Sequence, residues 1–141
     1  MRVFVDSNIP MYVAGTKHPN RAPAIRFLET AADEELELCT SAEVLQEILF
    51  RYTVLGRPDL ADRVYDLFVA LVPEVFDVTL ADADAAKQIL LGTPGLPARV
   101  AVHAGVMLNR GVSRVATFDA AFDRVEGVER VANQFLEGAS S

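Results

Sequence analysis

The sequence predicts a three-layer α/β/α sandwich with a mostly parallel central sheet of four to five strands. Short apolar runs alternate along the whole chain with segments whose apolar residues recur at helical spacing. The first run, residues 3–5, is apolar at consecutive positions, as expected for a strand that is buried on both faces. Of the 141 residues, 51% are hydrophobic and 23% are charged, so the chain can form one ordinary core.

Each predicted element has a local reason. Helices are expected where apolar residues return every three or four positions. Ser41 and Asp59 are the predicted N-caps of the third and fourth helices, and Thr79 or Asp82 starts the fifth. Gly111 ends the last long helix. The predicted strands are 2–5, 36–40, 74–80, 113–117 and 128–131. The predicted helices are 8–14, 21–33, 42–55, 60–71, a fifth that contains Ala83, Ala86, Ile89 and Leu90, and 98–109, with a helical turn after residue 118.

One domain over residues 1–135 and a flexible tail over 136–141 are expected from this organisation. The single cysteine, Cys39, excludes an internal disulfide and a CxxC zinc site, and we expect it in the core. No apolar run approaches the roughly 20 residues that cross a membrane. Asp6 and Pro10 interrupt any signal-peptide pattern. The sequence therefore predicts a cytoplasmic protein.

The acidic balance of the chain restricts its partners. The formal net charge is −7, with an isoelectric point of about 4.7. A passive nucleic-acid binder normally carries a basic face, so this class is disfavoured. An enzyme whose acidic cluster is neutralised by a metal remains possible, and a basic partner protein would also fit. The plain alternative is that the charge only keeps the protein in solution.

Two aspartates follow predicted strands of the sheet. Asp6 ends the first strand and Asp119 follows the fourth, and ligands in such folds bind beyond the carboxyl ends of strands. Asp123 lies four residues after Asp119 and shares its side if that turn is helical. Each has a structural alternative. Asp6 could cap the next helix through the N–H of residue 8 or 9, Asp119 could cap its turn, and Asp123 could be solvated.

A third acidic element lies on the predicted third helix. Glu43 and Glu47 are four residues apart and share a face, and periodicity alone does not decide between them or exclude a solvated face. Carboxylates brought together repel one another, and a divalent cation relieves the repulsion. Carboxylates without histidine or cysteine suit a hard ion, Mg²⁺ or Mn²⁺. Such an ion suits phosphodiester hydrolysis.

These segments resemble the PIN domain, and within it the VapC-type toxins of bacterial toxin–antitoxin pairs. The resemblance is carried by "VFVDSN", by "TSAEVLQEIL", by a helix with a central histidine and by "RVATFDAAFDRVEGVERV". It spans nearly the whole chain, in order and with matching spacing. It implies a metal-dependent endoribonuclease that hydrolyses RNA, forms a homodimer and is blocked by a VapB-like antitoxin.

The resemblance also implies roles for individual residues. Asp6, Glu47 and Asp119 match the catalytic acids of the family, and the sequence position of Glu47 within its motif favours it over Glu43. Asp6 and Asp119 are the expected metal ligands for Mg²⁺ or Mn²⁺. Asn8, Thr117 and Asp123 match supporting positions of the same pocket. An arginine of the antitoxin is expected to cross this cleft, because a guanidinium pairs well with carboxylates.

Val100 departs from the family. The resemblance places a metal-binding aspartate here, three residues before His103, and a valine cannot coordinate a cation. We therefore expect weak or absent metal binding and impaired catalysis. Either a naturally weakened member or an Asp→Val substitution accounts for the valine, and the intact remainder of the motif favours a substitution.

Two other functions compete with the nuclease. With Val100, the chain could bind an antitoxin or RNA without cutting. A phosphatase of the haloacid-dehalogenase type needs D-x-D after the first strand, and the sequence Asp6-Ser7-Asn8 does not provide it. His103, in an apolar helix, is expected to be a packed, hydrogen-bonded residue and not a ligand or base.

Overall fold

A computed structural model describes residues 1–131, and over this part the chain forms five strands and six α-helices. The predicted tail, 136–141, and the last residues of the predicted domain, 132–135, lie outside the described residues. In chain order the elements are β1 (Arg2–Val5), α1 (Asn8–Ala14), α2 (Arg21–Asp33), β2 (Glu37–Ser41), α3 (Ala42–Val54), α4 (Pro58–Leu71), β3 (Glu74–Phe76), α5 (Leu80–Gly92), α6 (Ala98–Asn109), β4 (Arg114–Ala116), a 3₁₀ turn (Ala120–Arg124) and β5 (Glu129–Val131).

The five strands form one parallel sheet in the order β3-β2-β1-β4-β5. The first strand is central, and Phe4 aligns with Cys39 on one side and with Val115 on the other. Val5 aligns with Ala116, so β1 and β4 end side by side. The residues that follow these two strands, where the sequence places its aspartates, therefore share one edge of the sheet.

Helices that are close in sequence pack as pairs: α1 with α2, α3 with α4, and α5 with α6. The core contains four fully buried phenylalanines, Phe4, Phe27, Phe68 and Phe122. Each contributes on the order of 1.5–3 kcal/mol through loss of its apolar surface from water. The predicted α/β/α sandwich around a parallel sheet is confirmed, and Cys39 is buried in its core as expected. Burial raises the pKa of the Cys39 thiol to about 11.

Several predicted boundaries differ from those in the structure, and two of the differences have a clear physical reason. The fourth helix begins at Pro58 and not after Asp59, because proline has no N–H to lose in a first helical turn. The Asp59 carboxylate instead accepts hydrogen bonds from Arg57 at 3.0 and 3.1 Å. The third strand ends at Phe76, and the next residues lead into a capping box in which Thr79 and Asp82 bond each other's backbone N–H.

The predicted N-cap of α3 is present, since the Ser41 side chain accepts a hydrogen bond from the Val44 N–H. Gly111 follows the last long helix with a positive φ of 72°, which glycine adopts without strain. Within residues 1–131, none of the helices has both the length and the apolar character needed to cross a membrane.

Candidate active site

Asp6 is fully buried at the carboxyl end of the central strand. Its Oδ1 accepts a hydrogen bond from the Ser7 N–H at 2.8 Å, and its Oδ2 accepts one from the Thr117 hydroxyl at 2.7 Å. The carboxylate does not cap the next helix: the Ile9 N–H bonds the main-chain oxygen of Asp6 instead. A buried carboxylate needs such donors, because an unpaired charge is costly away from water.

Asn8 links the ends of the two neighbouring strands. Its Nδ2 donates to Thr117 Oγ1 at 3.0 Å and to Asp6 Oδ2 at 3.4 Å, while its Oδ1 accepts from the Phe118 N–H at 3.3 Å. Thr117 Oγ1 also accepts from the Asp119 N–H at 3.0 Å. Asn8 and Thr117, predicted as supporting residues, thus connect Asp6 with Asp119 through one hydrogen-bond network.

Glu47 projects from α3 towards Asp6. Its Oε2 accepts a hydrogen bond from the Ser7 hydroxyl at 3.2 Å, and its Oε1 contacts His103 Nε2. Burial acts to raise the pKa of Glu47, but the His103 hydrogen bond, the charges of His103 and Arg99, and the Ser7 hydroxyl outweigh it, so the pKa is lowered. Glu47 is therefore an anion at neutral pH. Of the two glutamates on this helix, Glu47 joins the acidic group that the described residues form, and Glu43 does not.

His103 is fully buried on α6 and lies among the site residues. Its ring is 5.8 Å from that of Phe4 and stacks with that of Phe122 at 6.4 Å, centroid to centroid. Its Nε2 contacts Glu47 and lies 3.8 Å from Asp6 Oδ1. The sequence predicts a packed, hydrogen-bonded histidine. The structure adds that its partner is a predicted catalytic acid.

Arg99 is the residue whose role sequence reasoning missed, because the sequence offers it only as one of four arginines, with Arg51, Arg110 and Arg114, that could rim the cleft and touch phosphate. Its guanidinium contacts all three predicted catalytic acids: Nη1 is 3.2 Å from Asp119 Oδ2, Nη2 is 3.7 Å from Asp6 Oδ2, and Nε is 3.7 Å from Glu47 Oε2. Three carboxylates would repel one another without a cation between them. The guanidinium supplies that cation within the chain. Its position just before Val100 in the "ARVAVHAG" segment is the only sequence signal that points to it.

Asp119 and Asp123, the two aspartates after β4, lie in different surroundings. Asp119 caps the 3₁₀ turn, as the structural alternative proposed, because its Oδ1 accepts from the Ala121 N–H at 2.9 Å. Its other oxygen still faces Arg99. Asp123, predicted as a supporting residue, is not brought to the cluster: its carboxylate is exposed and accepts two hydrogen bonds from Arg130 at 2.8 and 2.9 Å.

Val100 is fully buried within the hydrophobic core, one turn before His103. Its side chain offers no ligand atom. The valine therefore extends the apolar packing of α6 at the position where the family resemblance implies a metal-binding aspartate.

The donor atoms present suit a divalent cation. Ligand atoms of Asp6, Glu47 and His103 lie within 4.8 Å of one another. Two carboxylates and one imidazole suit Mn²⁺, and Mg²⁺ accepts the oxygens together with water. The sequence predicts Asp6 and Asp119 as the metal ligands. The group of described residues contains Asp6 but not Asp119, and its other two members are Glu47 and His103.

An open cleft of about 510 Å³ leads to this group and is called the acidic cleft below. Glu47 and Asp119 provide its carboxylates, and Arg51 and Arg99 its permanent positive charges. Ser7 and Asn8 also line it. A cleft that brings cations and carboxylates together around a buried aspartate can bind a phosphate and a metal ion at the same place.

Comparison with known proteins identifies the relatives of this chain. Residues 3–128 match the PIN domain family. The chain is 39% identical over 130 residues to Ribonuclease VapC13 of Mycobacterium tuberculosis, which covers 92% of this chain and 99% of that protein. It is 41% identical over 117 residues to Ribonuclease VapC23 of the same species, covering 83% of this chain and 92% of the relative.

Solved structures share the fold. VapBC2 from Rickettsia felis, bound to a DNA fragment from its promoter, superposes with a TM-score of 0.73 at 14% identity, over 92% of this chain and 97% of that one. VapC20 of Mycobacterium tuberculosis, described as a sarcin–ricin loop cleaving toxin, gives a TM-score of 0.68 at 17% identity, over 84% and 90% of the two chains. At these identities the likeness establishes the architecture alone.

Proposed function

Because this chain belongs to the PIN domain family, we propose that it is a VapC-type endoribonuclease toxin of a toxin–antitoxin pair. The observation that carries the proposal is the meeting of Asp6, Glu47 and Asp119 around one cation, the Arg99 guanidinium, at the carboxyl edge of the sheet. Three acids from three separate elements, held beside an open cleft, are suited to phosphodiester hydrolysis.

Asp6, Glu47 and His103 are the residues that would hold a Mg²⁺ or Mn²⁺ ion. When bound, such an ion orients the phosphate and makes water a stronger nucleophile. Asp119 lies on the other side of the guanidinium contact and would orient water in the cleft. The low pKa of Glu47, which its contacts to His103, Arg99 and Ser7 maintain against burial, keeps this group a carboxylate that can bind a cation.

The other residues of the site hold these groups in place. Thr117 and Ser7 each donate to a different oxygen of Asp6, so the carboxylate cannot rotate freely. Asn8 fixes Thr117 and the backbone of Phe118, which positions the Asp119 segment against the first strand. Arg99 is 36% exposed along its side chain, so it can leave the acids and contact a phosphate of the substrate.

The partners follow from the same proposal. A VapB-like antitoxin is the expected inhibitor, RNA the substrate, and a homodimer the functional form. Cellular RNA is the target of such a toxin, and we place the protein in the cytoplasm. An arginine of the antitoxin would compete with Arg99 for the same three carboxylates.

A second candidate function is a PIN module that binds an antitoxin or RNA without cleaving. Two observations favour it: Val100 is fully buried and apolar, and Arg99 already neutralises the acids. In this case the site would lack one metal ligand, because position 100 is a valine. The positive charge of Arg99 would then neutralise the carboxylates in place of a metal ion.

Cleavage assays separate the two functions. Purified chain and the variant Val100→Asp are incubated with total RNA in Mn²⁺, with Asp6→Asn in the Val100→Asp background as the matched inactive control. For the nuclease we expect Val100→Asp to cleave at least about tenfold faster than the parent chain, since a restored carboxylate adds a ligand. Circular dichroism checks that each variant is folded. If the parent and Val100→Asp are both inert, the nuclease proposal is wrong and the binding module is favoured.

A further inference from the structure

We propose that Tyr12, His18 and Phe118 form a stacking platform for an unpaired RNA base at the rim of the acidic cleft. The inference rests on the proposed function and adds to it a subsite for one base of the RNA, formed by three named aromatic residues. The three rings lie in the wall of the same cleft as Glu47 and Asp119.

The rings form one continuous group. Tyr12 and His18 stack with centroids 4.5 Å apart and planes inclined by 29°, and Phe118 meets Tyr12 edge to face at 5.2 Å. Aromatic side chains in this arrangement present flat apolar surface to a further ring, such as that of a base. Bases stack on such surfaces when they are not paired, with little dependence on sequence.

A helical turn and hydrogen bonds of Asn8 connect the platform to the predicted catalytic acid Asp6. Tyr12 lies one helical turn after Asn8 on α1, and Asn8 Oδ1 accepts the N–H of Phe118. The platform is therefore connected through Asn8 to Thr117 and Asp6. A base bound there would hold its own phosphate near the carboxylates, which is the positioning that hydrolysis requires.

The loop after α1 turns back at Gly15, and this turn brings His18 into contact with Tyr12. A Cβ on Gly15 would lie 2.9 Å from the Met11 carbonyl oxygen, so a side chain here would force the turn to shift. His18 Nδ1 accepts the Asn20 N–H at 3.0 Å, which orients the imidazole ring.

Core packing alone does not account for this group. Tyr12 and Phe118 are half-buried and pack against the core, as many aromatic residues do. His18 is exposed, however, and does not belong to the core, yet its ring stacks on that of Tyr12. An exposed imidazole ring that stacks on a tyrosine in the wall of a cleft is suited to stack with the ring of a ligand as well. A base-paired RNA could not use it, because its bases are stacked on each other inside the duplex.

Tyrosine fluorescence gives a direct test. The chain has no tryptophan and three tyrosines, so its emission reports on few sites. Poly(U) is titrated into the protein with Ca²⁺ in place of Mn²⁺, and gels confirm that the RNA remains intact. We expect quenching by poly(U) and at least about tenfold weaker binding of a poly(A)·poly(U) duplex, since stacking needs unpaired bases.

Variants assign the signal to the platform. Tyr12→Ala should weaken poly(U) binding roughly five- to a hundredfold, the range for one stacked base. Tyr12→Phe keeps the ring, so it should retain the affinity, measured by anisotropy of labelled RNA, and lose most of the quenching. Tyr65→Ala, at a tyrosine outside the lining of the cleft, is the matched control and should bind like the parent. Thermal melting verifies that all variants are folded.

The outcomes distinguish the platform from the proposed function. If Tyr12→Ala binds poly(U) as the parent does, or if the duplex binds equally well, the platform is wrong, while Mn²⁺-dependent RNA cleavage by Val100→Asp would still support the nuclease. If the parent does not bind poly(U) at all, the platform is also wrong. Loss of binding in Tyr12→Ala with retention in Tyr12→Phe and Tyr65→Ala supports it.

Discussion

At the scale of single residues, Arg99 determines the electrostatic state of the site. Its guanidinium contacts Asp6, Glu47 and Asp119, the three carboxylates that a divalent cation would otherwise neutralise. The arginine that we expect from an antitoxin therefore meets a cleft in which the chain already provides one. The guanidinium repels a metal ion bound by the same carboxylates, so Arg99 and the ion compete for them.

Replacing Arg99 by glutamine should make Mn²⁺ bind more tightly. Removing a positive charge within 4 Å of the ligand carboxylates removes repulsion of the ion, and we expect about a tenfold lower Kd, measured by isothermal titration calorimetry. The same variant should melt at a lower temperature in EDTA, because the acids then repel one another without a compensating charge.

The matched control is Arg63→Gln, at an exposed arginine on α4 outside the cleft. It removes the same charge from the chain and should leave the Mn²⁺ affinity within about twofold, because solvent screens distant exposed charges. A weaker Mn²⁺ affinity in Arg99→Gln would contradict the competition and would mean that the arginine helps to hold the site open.

The acids and their supporting residues Asn8 and Thr117 were predicted from sequence, and the contacts made by Arg99 were not. Asp6, Glu47 and Asp119 follow from strand ends and from motif resemblance, and the structure brings all three to one guanidinium. The contact of Arg99 with the three acids was not predicted, because it depends on how α6 is rotated against the sheet. Asp123 was predicted to lie beside Asp119, but the turn is 3₁₀ with about three residues per turn, so the fourth residue points elsewhere.

At the scale of secondary-structure elements, α5 and α6 pack closely against each other at Gly105. A Cβ on Gly105 would lie 2.7 Å from the Asp82 carbonyl oxygen and 3.2 Å from the Ala86 nitrogen, both of them backbone atoms. The glycine thus lets α6 sit directly against α5. Because α6 also carries Arg99 and His103, this contact helps to set the position of both residues in the site.

Gly105→Ala should destabilise the protein by about 1–3 kcal/mol, the usual cost of overpacking, in urea unfolding followed by circular dichroism. The control is Gly92→Ala at the end of α5, where an added Cβ meets nothing within 4 Å. That variant should be neutral or more stable by up to about 1 kcal/mol, because alanine restricts the unfolded chain. Equal stabilities of the two variants would refute the close contact.

Asp82 joins the start of α5 to the end of α6. Its carboxylate is 1% exposed and accepts from Arg110 Nη1 and Asn109 Nδ2, both at 2.9 Å, and from the Thr79 N–H. Burial acts to raise the pKa of Asp82, but the Arg110, Thr79 and Asn109 hydrogen bonds outweigh it and hold the pKa well below its usual range.

Asp82→Asn should lower the free energy of unfolding at pH 7 by about 2–3 kcal/mol, because it removes the charge that Arg110 pairs with in a buried place. A depressed folded-state pKa contributes stability that is present above the unfolded pKa, about 3.9, and is lost as pH falls through the folded value. The gap between parent and variant should therefore be constant from pH 7 to about 5 and shrink below about pH 4.

Urea unfolding at pH 7 and pH 3 measures this gap. Asp84→Asn is the control, with the same substitution at an exposed position of the same helix. It should track the parent at both pH values. A gap for Asp82→Asn that grows on acidification would have the wrong sign and would show that the carboxylate is not stabilised by its partners.

Element positions were more predictable than element ends. The helical periodicity over residues 98–109 matches α6 to the residue, since a long apolar face and a following glycine define it. The third strand was predicted four residues too long, because "DVT" continues an apolar alternation. Thr79 and Asp82 form a capping box there, which satisfies backbone groups better than an edge strand would.

At the scale of the whole molecule, alternation of strands and helices was sufficient to predict the sandwich. The strand order was not accessible, because nothing local in the sequence specifies which strands become neighbours. That order places β1 beside β4 and so creates the site. The net charge of −7 follows directly from the sequence. The sequence does not show where the cations of the cleft lie, and RNA binding depends on their position.

RNA binding by this chain should depend only weakly on salt. Arg51 and Arg99 are the permanent cations that line the cleft, in a chain that is otherwise strongly acidic. Each phosphate neutralised on a single strand contributes about −0.7 to the slope of log affinity against log salt concentration, so two contacts predict a slope of about −1.4. Poly(U) anisotropy titrations in KCl, with Ca²⁺ held constant, measure it.

Substitution of one cleft arginine refines the same test. Arg51→Gln should reduce the slope to about −0.7, since one phosphate contact is lost, whereas Arg63→Gln outside the cleft should keep the parent value. A slope steeper than about −4 in the parent would require many phosphate contacts over a broad surface. RNA would then bind mainly outside the acidic cleft. The expectation that only a short RNA segment contacts Arg51 and Arg99 would be wrong.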